Sequence, residues 1–128
     1  MNEWKGKQME CIAIVSTQCG MRNAEQIEKI ENRQEAYIRK YAKAHGVKIV
    51  DVIYGNGQGQ SEINRKFLKV VELIKKGKVQ GIIAVNMAIF SADLEDAYCK
   101  VGKVRSAGGE MITVDEGRLR LNIWGNRK

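Results

Sequence analysis

The sequence predicts an α/β domain in which a mostly parallel central sheet of four or five strands is flanked by helices, with a hairpin at its C-terminal edge. Three observations carry that expectation. Short apolar, β-branched runs recur at residues 11–15, 47–54, 79–85 and 111–114. Segments of helical periodicity separate them, and strands alternating with helices at this spacing build parallel sheets flanked by helices. The last run, residues 118–123, instead alternates polar and apolar, which is strand periodicity.

Each element has its own signal. Residues 11–15 (Cys-Ile-Ala-Ile-Val) are continuously apolar, as in a strand buried on both faces, and end at Ser16, Thr17 and Gln18. A helix is expected over about 22–44, with Ile27, Ile30, Tyr37, Ile38 and Tyr41 on one face and Gly46 ending it. His45 then falls at the helix C-terminus, where a partly positive imidazole complements the macrodipole. Residues 47–54 read as the second strand. Residues 55–60, with glycine at 55, 57 and 59, read as a mobile loop. Helix resumes from about Asn64, with Phe67, Leu68, Val71, Leu73 and Ile74 apolar, and stops at Gly77. A third strand covers 79–85. A helix over 92–107 has Asp93, Glu95 and Asp96 in its first turn, and Gly108 and Gly109 close it. A fourth strand follows at 111–114, and Asp115, Glu116 and Gly117 form a hairpin turn into the final run. No proline interrupts any element.

Composition narrows the function classes. The 128 residues suit a single domain spanning 1–128, and 44% hydrophobic content suffices for a core. No apolar run reaches the roughly 18–20 residues of a membrane span, and the first residues lack the apolar stretch of a secretory signal, so a cytoplasmic location without membrane contact is expected. Cys11, Cys19 and Cys99 have no metal-ligand or disulfide spacing, and with His45 the single histidine, neither a metal nor a cofactor is expected. The formal charge of +7, from 22 basic and 15 acidic residues, is compatible with an anionic partner. Arg65, Lys66, Lys69, Lys75, Lys76 and Lys78 stand against one acid, Glu72, and Arg118, Arg120, Arg127 and Lys128 follow in the tail. Lys75, Lys76, Lys78, Arg118 and Arg120 are the candidate DNA contacts; the other reading of the first cluster is a solvated helix face.

Ligands of open α/β sheets gather at the carboxyl ends of strands. Three segments are placed there: residues 16–18, the glycine loop, and residues 86–91. The loop is neither a Walker A motif nor a GxGxxG fingerprint, and His45, at the opposite end of the sheet, is badly placed to be the base of a Ser-His-Asp triad.

The residues in this order resemble a known family. Ile12-Ala-Ile-Val-Ser16-Thr resembles the Tyr-x-Arg-Val-Ser-Thr strand that opens the catalytic domain of the serine recombinases, the resolvases and invertases. The stretch from Asn32 to Gly46 is similar to the long helix that follows there. Ile53-Tyr-Gly-Asn-Gly-Gln-Gly-Gln-Ser61, with Arg65 beyond it, occupies the place of that family's Asp-x-x-Ser-Gly loop and its arginine. Residues 68–83 are similar to the next helix, turn and strand. The resemblance runs from about residue 10 to residue 123.

It implies a resolvase-like catalytic domain with a degenerate active site. The nucleophile corresponds to Ser16 and the arginine after the loop to Arg65. The arginine two residues before the serine becomes Ile14, the loop acid falls on Asn56 and the loop serine on Gly59. The Asp-Arg-Leu-x-Arg motif falls on Met87-Ala-Ile-Phe-Ser91, losing both arginines. Such arginines stabilise the charge gathered at an attacked phosphodiester, and losing one donor of that kind costs roughly 10²–10³ in rate. Ser16 and Arg65 are therefore expected to be vestigial. The implied role lies in DNA recombination or its regulation, through DNA contact or through pairing with an active recombinase. Two alternatives stand beside it: an active minimal recombinase subunit using Ser16, and a protein-interaction domain with no DNA role. In the family a long dimer-forming helix follows the fourth strand. Here the alternation over 118–123, with Trp124, Gly125 and Asn126 after it, predicts an edge strand and hence no dimer of family geometry; a self-dimer would use another surface.

Overall fold

The computed structural model of the chain describes residues 8–17 and 23–119. Its elements follow in the order β1 (Met9–Val15), α1 (Ala24–His45), β2 (Val47–Tyr54), α2 (Gln60–Lys75), β3 (Gly81–Ala84), a 3₁₀ turn (Met87–Ile89), α3 (Leu94–Ser106), β4 (Glu110–Thr113) and β5 (Gly117–Leu119). The strands form one sheet in the order β2-β1-β3-β4-β5. The first four are parallel, and β5 folds back antiparallel on β4, pairing Gly117 with Thr113 and Leu119 with Met111. The expected architecture and edge hairpin are both present. Residues 120–123 of the expected edge strand, and Arg120 with them, lie outside the described residues, as do Gln18, Cys19 and Arg22.

Alternation along β1 divides the core. Ile12 and Ile14 belong to one cluster with Phe67, Val70, Phe90 and Val101, beneath α2 and α3. Cys11, Ala13 and Val15 point the other way and share a cluster with Ile38 and Ala42 of α1. Both faces of β1 are thus covered, which is why its sequence is apolar without interruption. Gly81 sits in the middle of the sheet for a steric reason. A Cβ there would lie 2.6 Å from the carbonyl oxygen of Glu110 on β4 and 3.1 Å from Sγ of Cys11.

Several boundaries differ from the sequence reading, each for a visible cause. Helix α1 begins at Ala24 because Asn23 and Gln26 form a reciprocal capping box, and it ends where Gly46 turns left-handed at φ 71°. Tyr37, expected on its apolar face, is 51% exposed; the face is completed instead by Glu31, Ile38 and Ala42. Helix α2 starts one turn earlier than Asn64, because the side-chain N–H of Gln60 donates to Phe90 O and to Asn64 Oδ1, holding that turn. Asp93 is not in the first turn of α3 but caps it, accepting from the Glu95 N–H. The third strand is shorter than 79–85: Gln80 already pairs with Glu10 through its backbone and its side chain, ahead of the regular ladder. His45 ends α1 as expected, with Nδ1 3.0 Å from Tyr41 O, at the sheet end opposite Ser16. Among the described residues no helix is long and apolar enough to cross a membrane.

Candidate functional site at the carboxyl end of the sheet

Because β2, β1 and β3 are neighbours, the three segments that follow them meet along one edge. The Gly55 N–H donates to Val15 O at 2.8 Å, which draws the glycine loop over the end of β1. The loop touches the serine directly: a Cβ on Gly55 would lie 2.6 Å from Ser16 Oγ and 3.2 Å from Ile63 Cδ1. Ser16 is 5% exposed, and its hydroxyl donates to Thr17 O at 3.3 Å. Gln60 reaches the third segment through Phe90 O. Thr17 Oγ1 and Asn86 Oδ1, at the ends of β1 and β3, are buried and have no hydrogen-bond partner among the described residues.

One face of α1 holds this edge together. The Gln34 carboxamide clamps the Ser16 backbone, accepting its N–H at 2.9 Å and donating to its carbonyl at 2.8 Å. Glu31, one turn earlier and 2% exposed, accepts the Asn56 N–H at 2.9 Å and also the Thr17 N–H, so a single carboxylate ties the segment after β1 to the loop after β2. The Tyr54 hydroxyl donates to Glu35 at 2.5 Å. From α2, the Lys66 ammonium donates to Tyr54 O at 3.0 Å and to Gln58 Oε1 at 3.4 Å. The glycine-rich loop is thus tied down at several points, with Asn56 itself left-handed at φ 54°.

Burial pushes the Glu31 carboxyl above the usual carboxylate range, against the pull of its two N–H partners and of Lys66. A raised folded-state pKa means that the unfolded chain ionises first. Stability is fully present below the ordinary value of 4.5 and falls as pH rises from there through the folded pKa. Glu31→Gln removes that slope. Its thermal midpoint should gain on the parent's as pH rises from about 4 to 7. A variant midpoint that falls further behind the parent's over that range would show that the N–H partners outweigh burial. Glu35 shifts the opposite way, held low by the Tyr54 hydroxyl, and is common to both proteins in that comparison.

The expected site residues are not all brought together. Ser16 is at the edge described. Arg65 is on α2 about 200° round the helix axis from Ile63, the residue that faces the loop; its side chain is 53% exposed and paired with Glu62. Among the described residues, the basic side chain bonded into this edge is Lys66. Of the positions where the motif would supply arginine, Ile14 is fully buried in the core, Ser91 is buried with its hydroxyl accepting the Asp93 N–H, and Ala88 is exposed on the 3₁₀ turn. Lys75, Lys76 and Lys78 are exposed where α2 runs out toward β3, away from Ser16. The side chain of Arg118 lies outside the described residues. No cluster of metal-ligating side chains occurs among the described residues. Sequence reasoning passed over Glu31, Gln34 and Glu35. The available signal was their spacing, since 31 and 34 interrupt the apolar stripe 27, 30, 38, 41 on its own face.

No protein-family model and no curated protein matches the chain. Solved structures do. The N-terminal catalytic domain of TP901-1 integrase superposes with a TM-score of 0.68 at 14% identity, over 84% of this chain and 79% of that one. A resolvase family site-specific recombinase from Streptococcus pneumoniae gives 0.66 at 18% identity, over 86% and 74%. The C-terminal catalytic domain of ISC1926 TnpA, an IS607-like serine recombinase, gives 0.64 at 18%, over 83% and 67%. These likenesses concern architecture, and on architecture they agree: the chain has the fold of the serine recombinase catalytic domains.

Proposed function

We propose that this is a resolvase-fold domain that does not itself exchange DNA strands and that serves recombination or its control, by pairing with an active recombinase or through weak DNA contact. The observation that carries the reading is Ile14. The position two residues before the serine, where the family motif has arginine, is a fully buried part of the hydrophobic core here. Among the described residues, the charged groups that bond into the edge around Ser16 are Glu31, Glu35 and Lys66, a mixed set with a carboxylate in the most buried place. Glu31 bonds the backbone N–H of Thr17, the residue after Ser16, so the most buried charged group here is of the sign opposite to what a phosphodiester transition state requires.

The test is a search for protein–DNA linkage. With supercoiled or nicked DNA the chain should give no phosphoserine-linked product, because losing one charge partner of this kind costs roughly 10²–10³ and several are absent, although such losses do not simply multiply. A covalent adduct that disappears in Ser16→Ala would instead make the chain an active minimal recombinase. Any binding of DNA should be sequence-tolerant and should fall steeply with salt, since it would rest on exposed lysines such as Lys76 and Lys78 meeting phosphates.

A further inference from the structure

Helices α2 and α3 lie side by side on one face of the sheet, and their outer surfaces leave an open groove of about 680 Å³. Val71 forms its floor and Leu68 one wall; Gly102 and Ser106 form the opposite wall. Leu68 is 52% exposed, although the rest of the apolar face of α2 is directed into the core. A leucine held in water across from the small residues Cys99, Gly102 and Ser106 leaves apolar area uncovered and room for a backbone to approach it. Lys75 and Lys103 stand on opposite walls toward the C-terminal ends of the two helices, with Lys76 and Lys78 exposed just beyond. Glu72 is the acid in the groove, and it lies 3.5 Å from Lys75 with both side chains more than half exposed.

An apolar trough ending in an excess of lysine selects its occupant by charge. We propose that the groove between α2 and α3 docks an acidic amphipathic helix of a protein partner. Apolar side chains at helical spacing would cover Leu68 and Val71, and carboxylates would meet Lys75 and Lys103. The small residues Gly102 and Ser106 would let the helix lie close to α3. A second copy of this chain is a poor occupant, because each copy carries a net charge of +7. DNA is a poor one too, because phosphates gain nothing from Leu68 and a duplex has no apolar ridge to fill the trough. The inference concerns protein docking and holds whether or not the domain serves recombination.

The probes are a labelled peptide with leucine at alternating three- and four-residue steps and glutamate between them, a peptide of the same apolar pattern with lysine for glutamate, and a labelled DNA duplex. With the isotope-labelled full chain, the acidic peptide should shift amide resonances of residues 68–75 and 99–106, and the basic peptide should not. Lys75→Glu with Lys103→Glu should weaken the acidic peptide by roughly tenfold or more. Leu68→Asp, at a half-exposed position, should abolish binding while lowering the thermal midpoint by only a few degrees. The proposal fails if the acidic peptide does not bind, or if it binds equally well to Leu68→Asp. It also fails if the duplex binds more tightly than the peptide, losing affinity on lysine reversal and keeping it in Leu68→Asp, because the surface is then electrostatic and serves DNA.

Discussion

Ile14→Arg unfolds most of the protein. The side chain of Ile14 is fully buried, in the cluster that β1 shares with Ile63 and Phe67 of α2, and its backbone pairs with Ile53 of β2. Glu31 and Glu35, carboxylates bonded at the sheet edge, belong to α1 and bond to the segments after β1 and β2 and to Tyr54 of β2, whereas Ile14 packs on the α2 side with Ile63 and Phe67. An arginine there loses its hydration with no carboxylate in return, and it is far larger than the isoleucine it replaces. The expected cost is roughly 5 kcal/mol, comparable with the whole net stability of about 5–15 kcal/mol typical of a domain. Chemical denaturation should find Ile14→Arg largely unfolded, with Ile14→Val, at about 1 kcal/mol, as the conservative control. The consequence for function is direct. An arginine at this position would destroy the scaffold, because the core here is packed around an aliphatic side chain. A folded Ile14→Arg with a nearly unchanged midpoint would mean that the end of β1 still has room for a guanidinium and would undercut the non-catalytic reading.

The fold was legible because it depends on periods and punctuation. Continuous apolar runs at 11–15 and 79–85, glycines at 46 and 77, and the alternating end each have a local physical cause that survives in the chain. The hairpin of β4 and β5 is an instance, since Thr113 and Gly117 pair across the turn that Asp115 and Glu116 make. The site was legible only in part. That Ser16 ends a strand and abuts the glycine loop follows from element order. That Gln34 clamps the Ser16 backbone, and that Glu31 ties two loops by accepting their N–H groups, depends on how far α1 rotates over the sheet. Sequence spacing alone does not determine that rotation. Arg65 shows the converse. Its position in the chain matched a motif, but the turn of α2 that begins at Gln60 directs Ile63 to the loop and Arg65 to solvent. The loop looked mobile because three of its residues are glycine, yet Glu31, Lys66 and the Val15 carbonyl all hold it from outside.

Phe67→Ala should be as damaging as its neighbour is tolerant. Phe67 is among the largest fully buried side chains, with its ring 6.1 Å from that of Phe90 in an edge-on arrangement and the Lys100 ammonium 6.0 Å from its centroid. It therefore joins three parts of the molecule: α2, the segment after β3, and α3. Removing the ring takes away its burial and leaves a cavity that this close packing can only partly fill, at a cost of about 3–5 kcal/mol. The damage should reach the site, because Phe90 is the residue whose carbonyl accepts from Gln60 and so sets the third segment against the glycine loop. Amide exchange in Phe67→Ala should accordingly speed up at 86–91 and at the start of α2, as well as around the cavity. Leu68, one residue later, is turned about 100° round the helix axis and is half exposed, so Leu68→Ala should change stability by no more than about 0.5 kcal/mol. Two adjacent side chains then separate two properties: stability is lost at Phe67, and peptide docking in the α2–α3 groove is lost at Leu68. A stability loss of equal size at both positions would show that Leu68 is covered within the chain and would remove the exposed wall on which the docking proposal depends.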